Sequence, residues 1–161
     1  MKRIGWFLAA IVILTTQGLI GQTTKNDSLF EAHRVKFDPA RNPSNDVQAA
    51  VITATKEKKR ILLDVGGEWC SWCHRLDRVF HDQADLEKYL ARHYVVVKVN
   101  FSKENKNETF LAQFPAIDGY PHFFVLAPDG KFLLSQSTGD FESGKGYDHH
   151  KLMKFLKKRA L

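Results

Sequence analysis

The chain is poor in sulfur: among its 161 residues only two are cysteine and two methionine. Cys70 and Cys73 therefore stand as a pair, with no third thiol to compete for either. No cysteine lies near residues 15–22, which excludes a bacterial lipoprotein anchor there. Charge is almost missing from the start of the chain, where Lys2 and Arg3 are the only charged residues before Gln22. No stripe interleaves basic and aromatic residues, so a nucleic-acid partner is not expected. Internal repeats and low-complexity segments are absent as well.

What the first residues do contain reads as a secretory signal. Lys2 and Arg3 form a basic region, Ile4 to Leu14 an apolar stretch, and Thr15 to Gln22 a small and polar region suited to cleavage. Cleavage is expected near Gly21, with Gly18 as a second site. The alternative is an uncleaved anchor, but the apolar stretch is short for a span and Thr15, Thr16 and Gln17 dilute its end. The expected organisation is a signal peptide over 1–21, an N-terminal extension over 22–44 and one folded domain over 45–161. The expected location is periplasmic or secreted, with membrane contact only during export. About 140 residues would remain, enough for a real core, carrying 22 basic against 18 acidic residues, a net of +4. Much of that excess lies at Lys151, Lys154, Lys157, Lys158 and Arg159, around Leu152, Phe155 and Leu156. This reads as the solvated face of a last helix, with cations suited to its C-terminus.

Hydrophobic periodicity outlines the domain. Val35 to Phe37 alternates like a short first strand, and Asp38 to Ser44 reads as a loop. Asn45 is placed to cap a helix with Gln48 as its reciprocal partner, and Val47, Ala50, Val51 and Ala54 recur at helical spacing. That helix closes in Lys56, Lys58, Lys59 and Arg60. Ile61 to Val65 is an apolar strand holding one acid, Asp64, and Gly66-Gly67 lets the chain turn into a helix with Leu76, Val79 and Phe80 inward. Asp82 to Arg92 reads as another helix, burying Leu86, Tyr89 and Leu90. Val95 to Val99 is a second apolar strand, with Lys98 as its one charge, and Glu104 to Phe114 reads as helical. Phe123 to Leu126, the Pro128-Asp129-Gly130 turn and Phe132 to Leu134 form a hairpin, and the last helix starts near Asp148. The result is an α/β fold, a mixed central sheet flanked by helices.

The chemistry concentrates in Trp69-Cys70-Ser71-Trp72-Cys73-His74, a C-x-x-C opening a helix after a buried strand. That context belongs to a dithiol redox site. Joining residues three apart closes a tiny loop worth only about 2 kcal/mol, so the pair is a poor structural staple. A helix N-terminus favours a thiolate, which assigns Cys70 as the attacking thiol and the deeper Cys73 as the resolving one. His74 and Arg75 add positive character, or point to solvent. Asp64 either faces water at a sheet edge or is a desolvated carboxyl able to move protons for Cys73. Lys98 invites the same two readings, and the two would pair if their strands are neighbours. Pro121 marks a loop-to-strand boundary, an edge strand, or a cis bond in a tight turn.

Taken together, these features resemble the thioredoxin family. The resemblance runs through 61–73, Val97-Lys98-Val99-Asn100, 119–126 and the 128–130 turn, and covers about Val35 to Leu161. Cys70-Ser71-Trp72-Cys73 is most similar to secreted bacterial thioredoxin-like proteins with a C-x-W-C site. The resemblance implies a thioredoxin-like fold, with Asp64 as the family's buried acid, Lys98 as its partner and Pro121 as a cis-proline packed against the disulfide. It also implies that the Tyr120 backbone pairs with an extended substrate, and that Trp69, Trp72 and Tyr120 form an apolar rim. Ser71-Trp72 departs from the Gly-Pro of ordinary thioredoxins, and Tyr120 and His122 from the usual neighbours of the proline, so the redox potential does not carry over.

The leading expectation is an exported thiol–disulfide oxidoreductase that reduces protein disulfides. It would need no metal or organic cofactor, and a membrane electron carrier or another thiol protein would recharge it. Two alternatives stand beside it. One is a copper- or zinc-binding module using Cys70, Cys73 and a distant histidine such as His122. The other is a c-type cytochrome reading C-x-x-C-H, whose axial ligand would have to be Met153 or a histidine (His33, His81, His93, His122, His149 or His150).

Overall fold

A computed structural model describes residues 34–161. The expected leader over 1–21, the first part of the extension and His33 lie outside the described residues.

The first helix, α1 (Pro43–Glu57), is started by Asn42, whose Oδ1 accepts from the amides of Ser44 and Asn45 at 2.9 and 3.3 Å. Pro43 sits in the first turn, where its missing N–H costs nothing. Asn42, not Asn45, is thus the cap, and the loop expected to reach Ser44 ends earlier. The helix closes at Lys58, held at φ 54°. Strand β1 (Arg60–Gly66) is buried along almost its whole length. It leads into α2 (Ser71–Asp82) and, after Gln83, α3 (Ala84–His93). Strand β2 (Tyr94–Asn100) follows, then the short α4 (Glu108–Leu111). The hairpin of β3 (His122–Leu126) and β4 (Phe132–Ser137) turns through Gly130 at φ 86°. A 3-10 turn, the two-residue strands β5 (Glu142–Ser143) and β6 (Gly146–Tyr147), and α5 (His149–Arg159) complete the chain. Asp148 caps α5 by accepting from the Lys151 amide.

The main sheet has the order β2-β1-β3-β4. β1 runs parallel to β2, with Asp64 opposite Lys98, and antiparallel to β3, with Val65 opposite His122. The parallel pair is joined by the α2–α3 crossover, the connection that parallel strands require. Alternation along β1 divides the core. Leu62 belongs to the layer of α2, α3 and α5, with Leu76, Leu86, Phe123, Val125 and Leu156. Ile61, Leu63 and Val65 belong to the opposite layer, with Ala50 and Ala54 of α1, Phe110 and Phe124. Each fully buried large apolar side chain contributes roughly 1.5–3 kcal/mol.

Two expected elements differ. Val35 to Phe37 forms no strand: the Phe37 amide donates to Glu68 Oε1 at 2.8 Å instead of to a neighbouring strand, and the Phe37 ring is buried. The helix expected over Glu104 to Phe114 shrinks to the single turn of α4. Asparagines claim the backbone ahead of it: Asn100 Nδ2 donates to the Asn105 carbonyl, Asn107 Nδ2 to the Asn100 carbonyl, and Asn107 takes φ 50°. Side chains that bond nearby backbone compete with helix in this way.

Gly66 and Gly67 were expected for their turning freedom, yet neither has a positive φ. Close approach is the reason they are glycines: a Cβ on Gly66 would lie 2.5 Å from Cys73 Sγ and 3.1 Å from the Phe37 ring, and one on Gly67 would meet Phe101 O at 2.7 Å. Gly66→Ala should therefore cost about 1–3 kcal/mol by overpacking, read from urea unfolding of the oxidised protein. Gly119→Ala, where a Cβ would meet nothing within 4 Å, serves as the control and should cost much less.

Candidate active site

β1 delivers the chain through Gly66 and Gly67 to the N-terminus of α2, where Cys70 is the cap residue. Cys70 and Cys73 are joined in a disulfide, and among the described residues no free cysteine remains. Cys70 Sγ accepts from the Cys73 amide at 3.1 Å, an N–H that the Cys70 carbonyl shares at the same distance, so this sulfur sits at the donor end of the helix. Cys70 is 4% exposed and Cys73 1%. The expected order of exposure holds, but by a narrow margin. Phe37 packs with both cysteines in one small cluster, with Trp72 and Tyr120 at its border.

Beneath the disulfide lies a buried ion network. Lys98 Nζ donates to Asp64 Oδ2 at 2.6 Å and also to Asp77 Oδ1. Asp64 is no edge residue facing water: β1 is an interior strand and the residue is 2% exposed. Burial drives its carboxyl above the usual range, against the pull of Lys98 and with help from the charge of Asp77. Burial alone would push the Lys98 ammonium down; the charges of Asp64 and Asp77 and their hydrogen bonds outweigh it and hold the ammonium above its ordinary value. Asp64 Oδ1 has no hydrogen-bond partner.

Three members of the network escaped the sequence reading. Asp77 sits one turn beyond Cys73 on the buried face of α2; its i+4 spacing from Cys73 on the inward stripe was the available signal. Arg34 donates from Nη1 to Asp77 Oδ2 at 3.0 Å and to Glu68 Oε1 at 3.1 Å, and from Nη2 to Glu68 Oε2 at 2.5 Å. Its side chain is only 3% exposed. Burial tends to raise the Glu68 carboxyl, but the bonds from Arg34 and the Phe37 amide hold it below the usual range. Nothing in the local pattern around Arg34 marks it, because its partners are 34 and 43 residues away.

The aromatic residues flank the sulfurs. Trp69 is 59% exposed; its Nε1 donates to the Phe101 carbonyl at 2.6 Å and its ring meets Tyr120 edge-on at 5.7 Å. Tyr120 stacks on Phe101 at 4.8 Å. Trp72 is half-buried, edge-on to Tyr147 at 5.4 Å, with the Arg75 guanidinium 4.6 Å over its ring. The Tyr120–Pro121 bond is cis and Pro121 is buried. His74 does not simply point to solvent, since its Nε2 bonds the Glu68 carbonyl at 2.8 Å, while Arg75 is exposed and lies over the Trp72 ring.

The metal reading loses its third ligand. Side chains at 122, 124 and 126 face the α1 layer, whereas Asp64 and Gly66 face the side of α2. His122 Nε2 bonds Ser135 Oγ at 2.7 Å and its ring lies 4.9 Å from Phe124. Burial holds its imidazole below the usual range, with Asp118 opposing. Among the described residues no group of three or more His, Cys, Asp or Glu side chains is placed to hold a metal ion.

Residues 42–128 match the family model described as thioredoxin-like, more than half of the chain. The chain belongs to the thioredoxin-like family. Membership displaces the cytochrome reading, and the structure agrees, since the two sulfurs are bonded to each other and His74 is engaged by Glu68. Among similar proteins, the disulfide bond reductase DsbH of Chlamydia pneumoniae is 26% identical over 93 residues, 53% of this chain and 54% of that protein. The chain thus spans about half the length of that curated relative. A disulphide isomerase from Xylella fastidiosa Temecula1 shares the fold at TM-score 0.65, with 22% identity over 78% of this chain and 97% of that one. The germline-specific thioredoxin Deadhead of Drosophila melanogaster gives TM-score 0.51, with 23% identity over 71% of this chain and 92% of that one. The thioredoxin-like architecture, with its mixed sheet between helical layers, is as expected.

Lys98 is shared by two buried carboxylates in this thioredoxin-like site, so removing it strips Asp64 of its cation and leaves Asp77 only Arg34. Lys98→Met should cost about 3–5 kcal/mol near neutral pH. The loss should shrink in acid. A carboxyl whose folded pKa is raised favours the folded state below its unfolded value and loses that contribution as pH rises through the folded one. Denaturant unfolding at several pH values checks this. A loss that does not grow between mildly acidic and neutral pH would count against the network.

Proposed function

We propose that this thioredoxin-like protein is an exported thiol–disulfide oxidoreductase that reduces protein disulfides with the Cys70/Cys73 dithiol. The observation that carries the reading is the sole cysteine pair, joined in a disulfide at the first turn of α2 and bordered by the exposed Trp69 and the half-buried Trp72 and Tyr120. Similarity to a disulfide bond reductase supports the direction. So does the burial around the sulfurs: a pocket that raises the Asp64 carboxyl above its usual range gives little stabilisation to a further anion, which favours the disulfide over the dithiolate.

In the reaction, the Cys70 thiolate attacks one sulfur of a substrate disulfide. The substrate S–S bond breaks, a mixed disulfide forms on Cys70, and the departing substrate thiolate takes a proton. Cys73 gives its proton to Asp64 and attacks Cys70 Sγ. The Cys70–Cys73 bond forms, the second substrate thiolate leaves and is protonated, and two electrons have passed to the substrate. Lys98 is the positioning residue that holds the Asp64 carboxyl. Trp69, Trp72 and Tyr120 offer an apolar surface to partly unfolded protein, and the Tyr120 backbone beside Pro121 pairs with an extended segment. A dithiol donor, carried by a membrane protein or another thiol protein, restores the reduced state.

Export rests on the basic, apolar and polar regions of 1–21. We divide the chain there into a signal over 1–21, an extension over 22–44 and the thioredoxin-like domain over 45–161. Among the described residues, no helix is long and apolar enough to cross a membrane.

Cys70→Ala should abolish disulfide exchange with a model substrate such as insulin, and Cys73→Ala should accumulate mixed disulfides on Cys70. Both are read by turbidity and by non-reducing electrophoresis. Cys70→Ala activity equal to that of the parent would sink the reading.

A further inference from the structure

Lys98 is shared by two buried acids, and the two are not equivalent. Asp77 has each oxygen on a cation: Oδ1 on Lys98 and Oδ2 on Arg34, the latter at 3.0 Å. Asp64 has only Oδ2 partnered, by Lys98 at 2.6 Å, while Oδ1 is buried and bare. A proton entering this network finds one open, desolvated carboxylate oxygen, and it belongs to Asp64. The second cation on Asp77 creates that difference. It comes from Arg34, eight residues ahead of the α1 cap and outside the thioredoxin-like family match over 42–128.

We propose that Arg34 is a positioning residue for the exchange reaction: by holding Asp77 it leaves Asp64 Oδ1 as the one place where the proton of Cys73 can be stored. The inference rests on the dithiol reading above and assigns the segment ahead of α1 a part in the chemistry. Glu68 completes the arrangement. Its two oxygens grip both terminal nitrogens of the guanidinium, and Oε1 also takes the Phe37 amide, which seats the Phe37 ring in the cysteine cluster with its centroid 4.4 Å from Lys98 Nζ. The same segment therefore fixes the ion network and walls it with an apolar ring.

The charged and titratable groups around Asp64 bear on its pH dependence. Lys98 faces it from β2 and Asp77 from α2, while on β6 the phenol of Tyr147 is held well above its ordinary range by burial, with a smaller push from the Asp64 charge. Arg34 stands behind Asp77. Removing Arg34 takes one positive charge from the network around Asp64, so a proton on Asp64 is held more tightly. Asp77 Oδ2 becomes a second open acceptor.

The test is infrared titration of the carboxyl groups in the oxidised full chain, which does not depend on turnover. In the parent, the protonated buried carboxyl band should disappear with Asp64→Asn. In Arg34→Gln its midpoint should rise by about one pH unit, a tenfold gain in proton affinity. Adding Asp64→Asn to Arg34→Gln should leave a protonated carboxyl, now on Asp77. If Arg34→Gln does not fold, Arg34→Lys is read instead: it keeps the charge but loses the fork, and an upward shift smaller than tenfold is expected. An unchanged midpoint, or a band that Asp64→Asn abolishes equally with and without Arg34, would overturn the proposal. The dithiol reading is judged separately by the Cys70 variant, so Arg34 failing this test leaves it standing.

Discussion

The Lys98 ammonium, buried between Asp64 and Asp77, is the constraint on which the site depends. Two carboxylates at that depth would repel each other and lose their hydration, and neither would stay buried as an anion without a cation. The cation in turn fixes geometry. It holds β2 beside β1 at the register that places Asp64 opposite Lys98, and it holds α2 against the sheet through Asp77. With α2 fixed, its first turn carries Cys70 and Cys73 to the end of β1. There Gly66 offers no side chain and the disulfide approaches the backbone closely. Sheet register, helix placement and sulfur position are thus consequences of one interaction.

The segment from Arg34 to Phe37 extends this logic beyond the regular elements. It makes no strand, yet it closes the ion network with a guanidinium and covers it with a ring. Its Phe37 amide is satisfied by the Glu68 side chain, and that acid belongs to the loop that presents the cysteines. A segment without secondary structure is thereby tied to the sulfurs through a few charge-assisted hydrogen bonds, the stronger kind available to it.

Much of this was legible in the residues. The two apolar strands with one charge each, the C-x-x-C at a helix start and the Pro-Asp-Gly hairpin turn are local patterns, and local patterns carried the fold. The Asp64–Lys98 pairing was legible because both residues interrupt runs that must be buried. Asp77 was harder, since an acid on a charged helix reads as surface until the helix is oriented. Arg34 was not legible, because its partners are set by tertiary placement. The errors share one cause: at 35–37 and 104–114 the residues favour strand and helix, but side chains of Glu68, Asn100, Asn105 and Asn107 take the backbone groups that those elements need. Tertiary hydrogen bonding overrode propensity there.

A dithiol seated above a buried acid network that resists further negative charge should prefer to be oxidised, and so should act as a donor of electrons. The reduction potential of the Cys70–Cys73 pair, followed by Trp69 and Trp72 fluorescence in dithiothreitol and glutathione buffers, tests this most directly. The account predicts a value toward that of a reductase, about −270 mV, and would be contradicted by one toward that of a strong oxidant, about −120 mV.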